Sequence, residues 1–212
     1  MNEFMLTNKF IDSFISEQNI IVHKQNIQNK IKKPNTNKKT DKLFWYMYNI
    51  IYPSAVIKNI FLEEKQIKFK WMEMINNDKK LCKKYKNIQP FLITHNIINL
   101  ECVDAVCHLF NISLIIIYEN TYVYLNKCDN TPVVTEYVNN NYTKNDEDYH
   151  YISNNYFYVD NYNKLCYSIT RYKIAELKVI AVKIGIDIPN THKKIDIYED
   201  IKNKLKLIYL NI

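Results

Sequence analysis

A single glycine, Gly185, serves a chain of 212 residues. Phosphate cradles need glycine wherever backbone must come close to an anion. One glycine cannot assemble a P-loop or a dinucleotide-binding fingerprint, so kinase, Rossmann and Walker-type NTPase readings fall. The glycine stands between two amphipathic runs, RYKIAELKVIAVKI before it and IDIPNTHKKIDIYEDIKNKL after it. Glycine adopts left-handed backbone at little cost, and helices commonly stop on such a residue. Gly185 is therefore expected at the C-terminal stop of a helix.

Lys, Asn, Ile and Tyr dominate, whereas Gly, Arg, Ala and Pro are scarce. A/T-rich codons favour the first group and G/C-rich codons the second, so Asn-rich or Tyr-rich stretches carry little weight as signals. With 47% hydrophobic residues the chain can bury a core, and its length suits a medium domain plus a small module. The net charge of +7 is uneven: +4 over residues 1–40, +3 over 41–128, −4 over 129–170 and +4 over 171–212. Basic ends suit polyanions, although such charge is also common on inert proteins. Cys82, Cys102, Cys107, Cys128 and Cys166 show no CxxC pair and are odd in number, so free thiols in a reducing compartment are expected. Asn2 and Glu3 begin a mixed polar segment, not a signal peptide, and no apolar run approaches the ~18 residues of a membrane span. The expectation is an intracellular protein without membrane association.

Residues 1–40 read as a basic N-terminal arm and linker, with a short amphipathic start at FIDSFI (Phe10–Ile15). Residues 41–166 read as an α+β domain. Thr40 or Asp41 caps a helix that places Leu43, Met47, Ile50 and Ile51 on one face and ends at Pro53. Ser54 is expected to cap a second helix running to about Ile75, and Asp78 a short lysine-rich one. Asn99 caps the clearest central helix, with Leu100, Val103, Cys107 and Phe110 at helical spacing. ISLIIIY (112–118) is a continuous β-branched run, hence a buried strand, and TYVYL its hairpin partner. Further strands are expected at 132–138 and 151–159, with 139–150 an acidic loop. The sum is an α+β protein, helices packed on a mostly antiparallel sheet.

His108 adjoins Cys107 on a different helix face, and His23, His95 and His150 are isolated, so no metal site is expected, nor any cofactor. Cysteine hydrolases set their nucleophile at the start of a buried helix and a histidine base on a later strand. A Phe-Trp helix start, a central helix feeding a buried strand, and the later His150–Tyr151 pair resemble that order in papain-like OTU proteases, over roughly residues 41–160. Tyr46 stands where the nucleophilic cysteine would be, and a phenol cannot replace a thiolate there. No catalytic residue is assigned. The resemblance implies a degenerate relative, a protein-interaction module, or a hydrolase using Cys82 or Cys102 beside His150.

DKLFWYMYNII, KFKWMEMINNDKKLCKKYK and INLECVDAVCHLFNISLIIIYENTYVYL also resemble an uncharacterised family of nucleocytoplasmic large DNA virus proteins. Glu119–Asn120–Thr121–Tyr122 matches its hairpin, and Tyr172, Lys173, Glu176 and Leu177 match its later helix, so the similarity spans about residues 40–205. Tyr46 again replaces a cysteine. The resemblance implies a viral protein of host cytoplasm, viral factory or virion, with a viral or host protein as partner, and no established activity.

Residues 167–212 read as a closing helix–link–helix module. Ser168 or Thr170 caps a helix from about Tyr172, with Ile174, Leu177, Ala181 and Ile184 inward. A link of Ile186, Ile188 and Pro189 follows, then a polar turn. A second helix runs from about Lys194, with Ile197, Ile201, Leu205 and Ile208 inward. Ala175–Glu176–Leu177–Lys178 up to Gly185, with Thr191–His192–Lys193–Lys194 in the turn, resemble a SAP motif. The family's turn glycine and terminal arginine are absent. The resemblance implies weak, salt-sensitive association with duplex DNA, without sequence preference, through phosphate contacts by Lys173, Lys193, Lys194 and Lys202.

Overall fold

A computed structural model describes residues 41–189 and 191–209. The basic arm expected over residues 1–40 lies outside them. Asp41 caps helix α1 (Lys42–Ile51), accepting from Phe44 N at 3.0 Å, and Leu43, Phe44, Met47 and Tyr48 turn inward. Helix α2 (Ile60–Asn77) starts on Asn59, not Ser54. The intervening residues 54–59 are exposed, Val56 by 86%, so no burial there rewards a helix. Asp78 caps α3 (Lys79–Lys84) as expected, and α4 (Gln89–Ile93) is a short addition opened by Pro90. Asn99 caps α5 (Leu100–Leu109) through Cys102 N at 3.0 Å.

Five strands follow: β1 (Leu114–Tyr118), β2 (Thr121–Leu125), β3 (Val133–Val138), β4 (Asn141–Lys144) and, after helix α6 (Tyr149–Asn155), β5 (Phe157–Tyr158). They form one sheet in the order β4-β3-β1-β2-β5. β1–β2 and β3–β4 are antiparallel hairpins, whereas β1–β3 and β2–β5 run parallel. The fold is α+β, but the sheet is mixed and not mostly antiparallel. The link after β2 carries the chain past β1, so β3 pairs on its other side in the same direction.

Two local expectations fail for identifiable reasons. The strand expected over 151–159 is mostly α6, because Asp148 caps a helix there, accepting from Tyr151 N at 2.8 Å, and within that helix only Ile152 is buried. The acidic loop expected over 139–150 contains β4, joined to β3 by Asn139 and Asn140 at φ 50° and 61°. Such left-handed pairs build two-residue hairpin turns. Asn111 and Asn126 also take positive φ. In a chain with one glycine, asparagine supplies most of the left-handed positions among the described residues, since its short polar side chain tolerates them best after glycine, and Glu119 at φ 51° in the β1–β2 turn is the exception.

One sheet face carries Leu114, Ile116, Tyr118, Val123 and Leu125 into a large core shared with α1, α2 and α5. The other carries Ile115, Ile117, Tyr122 and Val134 into a smaller cluster closed by Ile152 of α6. After a 3₁₀ turn at Ile169–Arg171, helices α7 (Ile174–Lys183) and α8 (Lys194–Tyr209) make the C-terminal hairpin. Leu177, Ala181, Ile184, Ile197, Ile201, Leu205 and Ile208 are buried in the same large core as the sheet. Expected position Ile174 instead faces out, 46% exposed.

Candidate nucleic-acid interface

Gly185 ends α7 at φ 76°. Ile186 N donates to Ala181 O at 2.8 Å and Gly185 N to Val182 O at 3.1 Å, the paired bonds of a Schellman motif. A Cβ at Gly185 would meet Asn120 Nδ2 at 3.1 Å, so the glycine answers both to backbone conformation and to a close neighbour in the β1–β2 turn. The far end of α8 reaches the same turn. Lys204 Nζ lies 2.7 Å from Glu119 Oε2, and Tyr209 hydroxyl 3.2 Å from Thr121 Oγ1.

The opposite end holds the starts of both helices. The Tyr172 ring lies 6.3 Å from that of Tyr198, so the chain entering α7 packs on the first turns of α8. Tyr198 hydroxyl donates to Tyr167 O at 2.9 Å across the same contact. Lys173 precedes α7 with its amide donating to Glu176 Oε2 at 2.7 Å; Lys193 precedes α8 with its amide donating to Asp196 Oδ2 at 2.8 Å. Both termini are thus closed by their own carboxylates. The side chains of Lys173 and Lys193 are exposed, and Lys194 is half-buried. None of the three ammonium groups has an acidic partner among the described residues. Lys202 differs: its ammonium reaches Glu199 Oε1 at 3.1 Å and Oε2 at 3.2 Å and lies over the Tyr198 ring. The structure therefore brings Lys173, Lys193 and Lys194 to one end of the hairpin and holds Lys202 in a local ion pair. Within the turn, His192 Nδ1 is 3.4 Å from Asp200 Oδ2 but makes no hydrogen bond.

Elsewhere, polar groups are arranged to satisfy one another. Lys68 is buried with its ammonium 2.7 Å from Asp41 Oδ2 and 2.8 Å from Glu64 Oε1, while Asp41 also accepts from Ile98 N at 2.7 Å. Asp104 on α5 accepts from Tyr85 hydroxyl at 2.7 Å. His108 Nδ1 is 2.9 Å from Asp104 O and 3.0 Å from Tyr85 hydroxyl, and its Nε2 is 3.0 Å from Lys84 Nζ. Tyr85 donates its proton to Asp104, and His108 Nδ1 also lies 3.4 Å from Asp104 Oδ1, so the imidazole is held by polar groups of the same cluster. Burial, then the Asp104 carboxylate, push the Tyr85 phenol well up, which keeps that donor protonated. This cluster joins α3, α5 and Tyr85 between them, and no motif spacing announces it.

Cys102 is buried, its thiol facing Ile88 O at 3.8 Å and pushed up to about 12 chiefly by burial. His150 is exposed on α6, near Asn154 Nδ2 at 3.2 Å. No Cys–His hydrogen bond occurs among the described residues. Tyr46 packs its ring 6.1 Å from that of Tyr142, and burial raises its phenol. Among the described residues no three His, Cys, Asp or Glu side chains could hold a metal ion, and no helix is long and apolar enough to cross a membrane. The chain matches no family model, no curated protein and no solved structure.

Proposed function

We propose that the protein associates with nucleic acid, without catalysis, through the end of its C-terminal hairpin. The observation that supports this is the gathering of Lys173, Lys193 and Lys194, each without an acidic partner among the described residues, at the end where α7 and α8 begin. Ammonium groups presented this way displace counterions from phosphates. Such contacts position the protein without reading bases. Glu199 and Asp200 further along α8 limit the contact to the helix start. The resemblances to SAP motifs and to large DNA virus proteins support the same role in a viral setting.

Three phosphate contacts give a log–log salt slope of about −2.7, hence roughly 40-fold weaker binding at about 200 mM salt than at 50 mM. The test is binding of the full chain to duplex DNA across that range, beside Lys193→Glu/Lys194→Glu. The double variant is expected to bind at least about tenfold more weakly while melting like the parent, because Lys193 precedes α8 and Lys194 opens it, where acidic side chains suit the helix start. Undiminished affinity in that variant would remove the hairpin end from the interface.

A second role, protein interaction through the α+β part, is favoured by apolar surface around the start of α2. Val56 is 86% exposed and Leu62 52%. Exposed apolar side chains grouped in sequence in this way suit a protein-interaction surface.

A further inference from the structure

Arg171 is the only arginine among 29 basic side chains. Lysine serves wherever a point charge suffices, and this composition favours it strongly. Arginine differs in being planar, weakly hydrated and able to stack. Its surroundings use that difference. The guanidinium lies on the Tyr167 ring, with Cζ 4.6 Å from the ring centroid. Tyr167 is fixed from three sides: its hydroxyl donates to Asp160 Oδ2 at 2.6 Å, its amide to Tyr172 hydroxyl at 3.1 Å, and its carbonyl accepts from Tyr198. The 3₁₀ turn holds Arg171 itself, whose amide donates to Ser168 O at 2.9 Å. Arg171 is exposed and has no carboxylate partner among the described residues.

Beside this stack lies a shallow depression of about 480 Å³ lined by Tyr167, Arg171, Tyr172, Glu176 and Ile180. It offers an aromatic and a guanidinium surface, an aliphatic wall and one carboxylate. Through the Tyr172–Tyr198 contact it sits at the same end of the hairpin as the unpaired lysines. A flat ligand carrying anionic linkages matches both features together. We infer that the depression takes an unpaired nucleobase packed on the Arg171–Tyr167 stack, so that single-stranded nucleic acid is preferred to intact duplex. The inference rests on the proposed nucleic-acid association and adds its substrate class. In a duplex the base faces are already stacked and cannot reach such a surface, whereas a single strand can turn one out. An acidic peptide would find the same cations but nothing that uses the flat stack; Glu176, engaged by the Lys173 amide, repels either anion and so does not decide between them.

The test uses the full chain, an oligothymidylate of about 12 nucleotides, a duplex of equal length, and a poly-glutamate peptide as competitor. Arg171→Lys keeps the charge and removes the plane. It is expected to weaken single-strand binding about tenfold, to leave duplex binding within about twofold, and to leave the melting temperature unchanged, since the side chain is on the surface. Wild-type preference for the single strand, lost in Arg171→Lys, supports the inference. Equal single-strand affinity in Arg171→Lys and wild type, with wild type binding well, overturns the inference and leaves the hairpin association standing. Poly-glutamate displacing the oligonucleotide at matched charge overturns it in favour of a protein partner. Absence of wild-type binding to either nucleic acid at low salt overturns both.

Discussion

Lys68 and Lys193 carry the same ammonium group into opposite situations. Lys68, in the α+β part, is buried between Asp41 and Glu64, and its partner Asp41 is itself held by two backbone amides. Lys193, at the hairpin end, spends its amide on Asp196 and extends its side chain into solvent without an acidic partner among the described residues. The difference lies in what would happen on removal. A paired buried charge belongs to the fold, since deleting it strands its partner away from water. A solvated unpaired one costs the fold almost nothing and remains available to a ligand. The cluster of Tyr85, Asp104, His108 and Lys84 sides with Lys68 here: its donors and acceptors are occupied by each other, which is why the hairpin end, and not that cluster, carries the proposed function.

The largest expected effect breaks the buried side of this comparison. Lys68→Met leaves Asp41 with its amide donors but no counter-charge, and such an unpaired buried carboxylate costs about 3–5 kcal/mol. Urea denaturation of the variant would measure it directly. Adding Asp41→Asn removes the stranded charge and should return only part of the loss, because one amide oxygen still caps α1 through Phe44 N while the amide nitrogen then faces the Ile98 N donor. A cost below about 1 kcal/mol for Lys68→Met would mean that the pair behaves as if solvated, and the contrast with the hairpin lysines would disappear.

A smaller effect is expected where the hairpin meets the sheet. Gly185→Ala places a Cβ in left-handed backbone and 3.1 Å from Asn120 Nδ2. The conformational cost alone is about 1–2 kcal/mol. Asn120 sits in an exposed turn and can yield, so the total should stay near that range in thermal melts. Gly185→Asn, which tolerates positive φ better, should cost less. A Gly185→Ala variant as stable as the parent would show that the Schellman stop does not set how α7 meets Asn120.

The same glycine shows how much of the molecule was legible beforehand. Its place as a helix stop follows from local backbone chemistry, and so do the caps at Asp41, Asp78 and Asn99 and the inward stripe of α8 at Ile197, Ile201, Leu205 and Ile208. Strand direction is different. LIIIY reads as a buried strand whichever way its neighbours run, so the parallel pairing of β1 with β3 has no local signature. The β3–β4 turn was hidden by composition: Asn139–Asn140 is a turn signal, but in an asparagine-rich chain it looks like codon bias. The α6 segment carries tyrosines that suit a strand, and only the Asp148 cap tips it to a helix. At the hairpin end the basic residues were visible, whereas their partners were so only in part. The Glu199–Lys202 pair was open to helical i,i+3 spacing, but spacing could not show that Tyr167 takes Arg171.

That last distinction yields the smallest effect and the sharpest separation. Lys193→Ala and Lys202→Ala each remove one positive charge, the first just before α8 and the second within it, so any effect through the general field of the protein should be alike. A phosphate contact does more than contribute to a field: it releases counterions, and each one lost flattens the log–log salt slope by about 0.9. Lys193→Ala should therefore flatten the slope by about that amount. Lys202→Ala should lower affinity only slightly and leave the slope unchanged, because the ammonium is already engaged by both oxygens of Glu199. Both variants should unfold within about 0.5 kcal/mol of the parent, as surface changes do. Equal slopes in the two variants would mean that Lys202 leaves Glu199 to meet the phosphate, and the ligand would then run along α8 beyond its first turn.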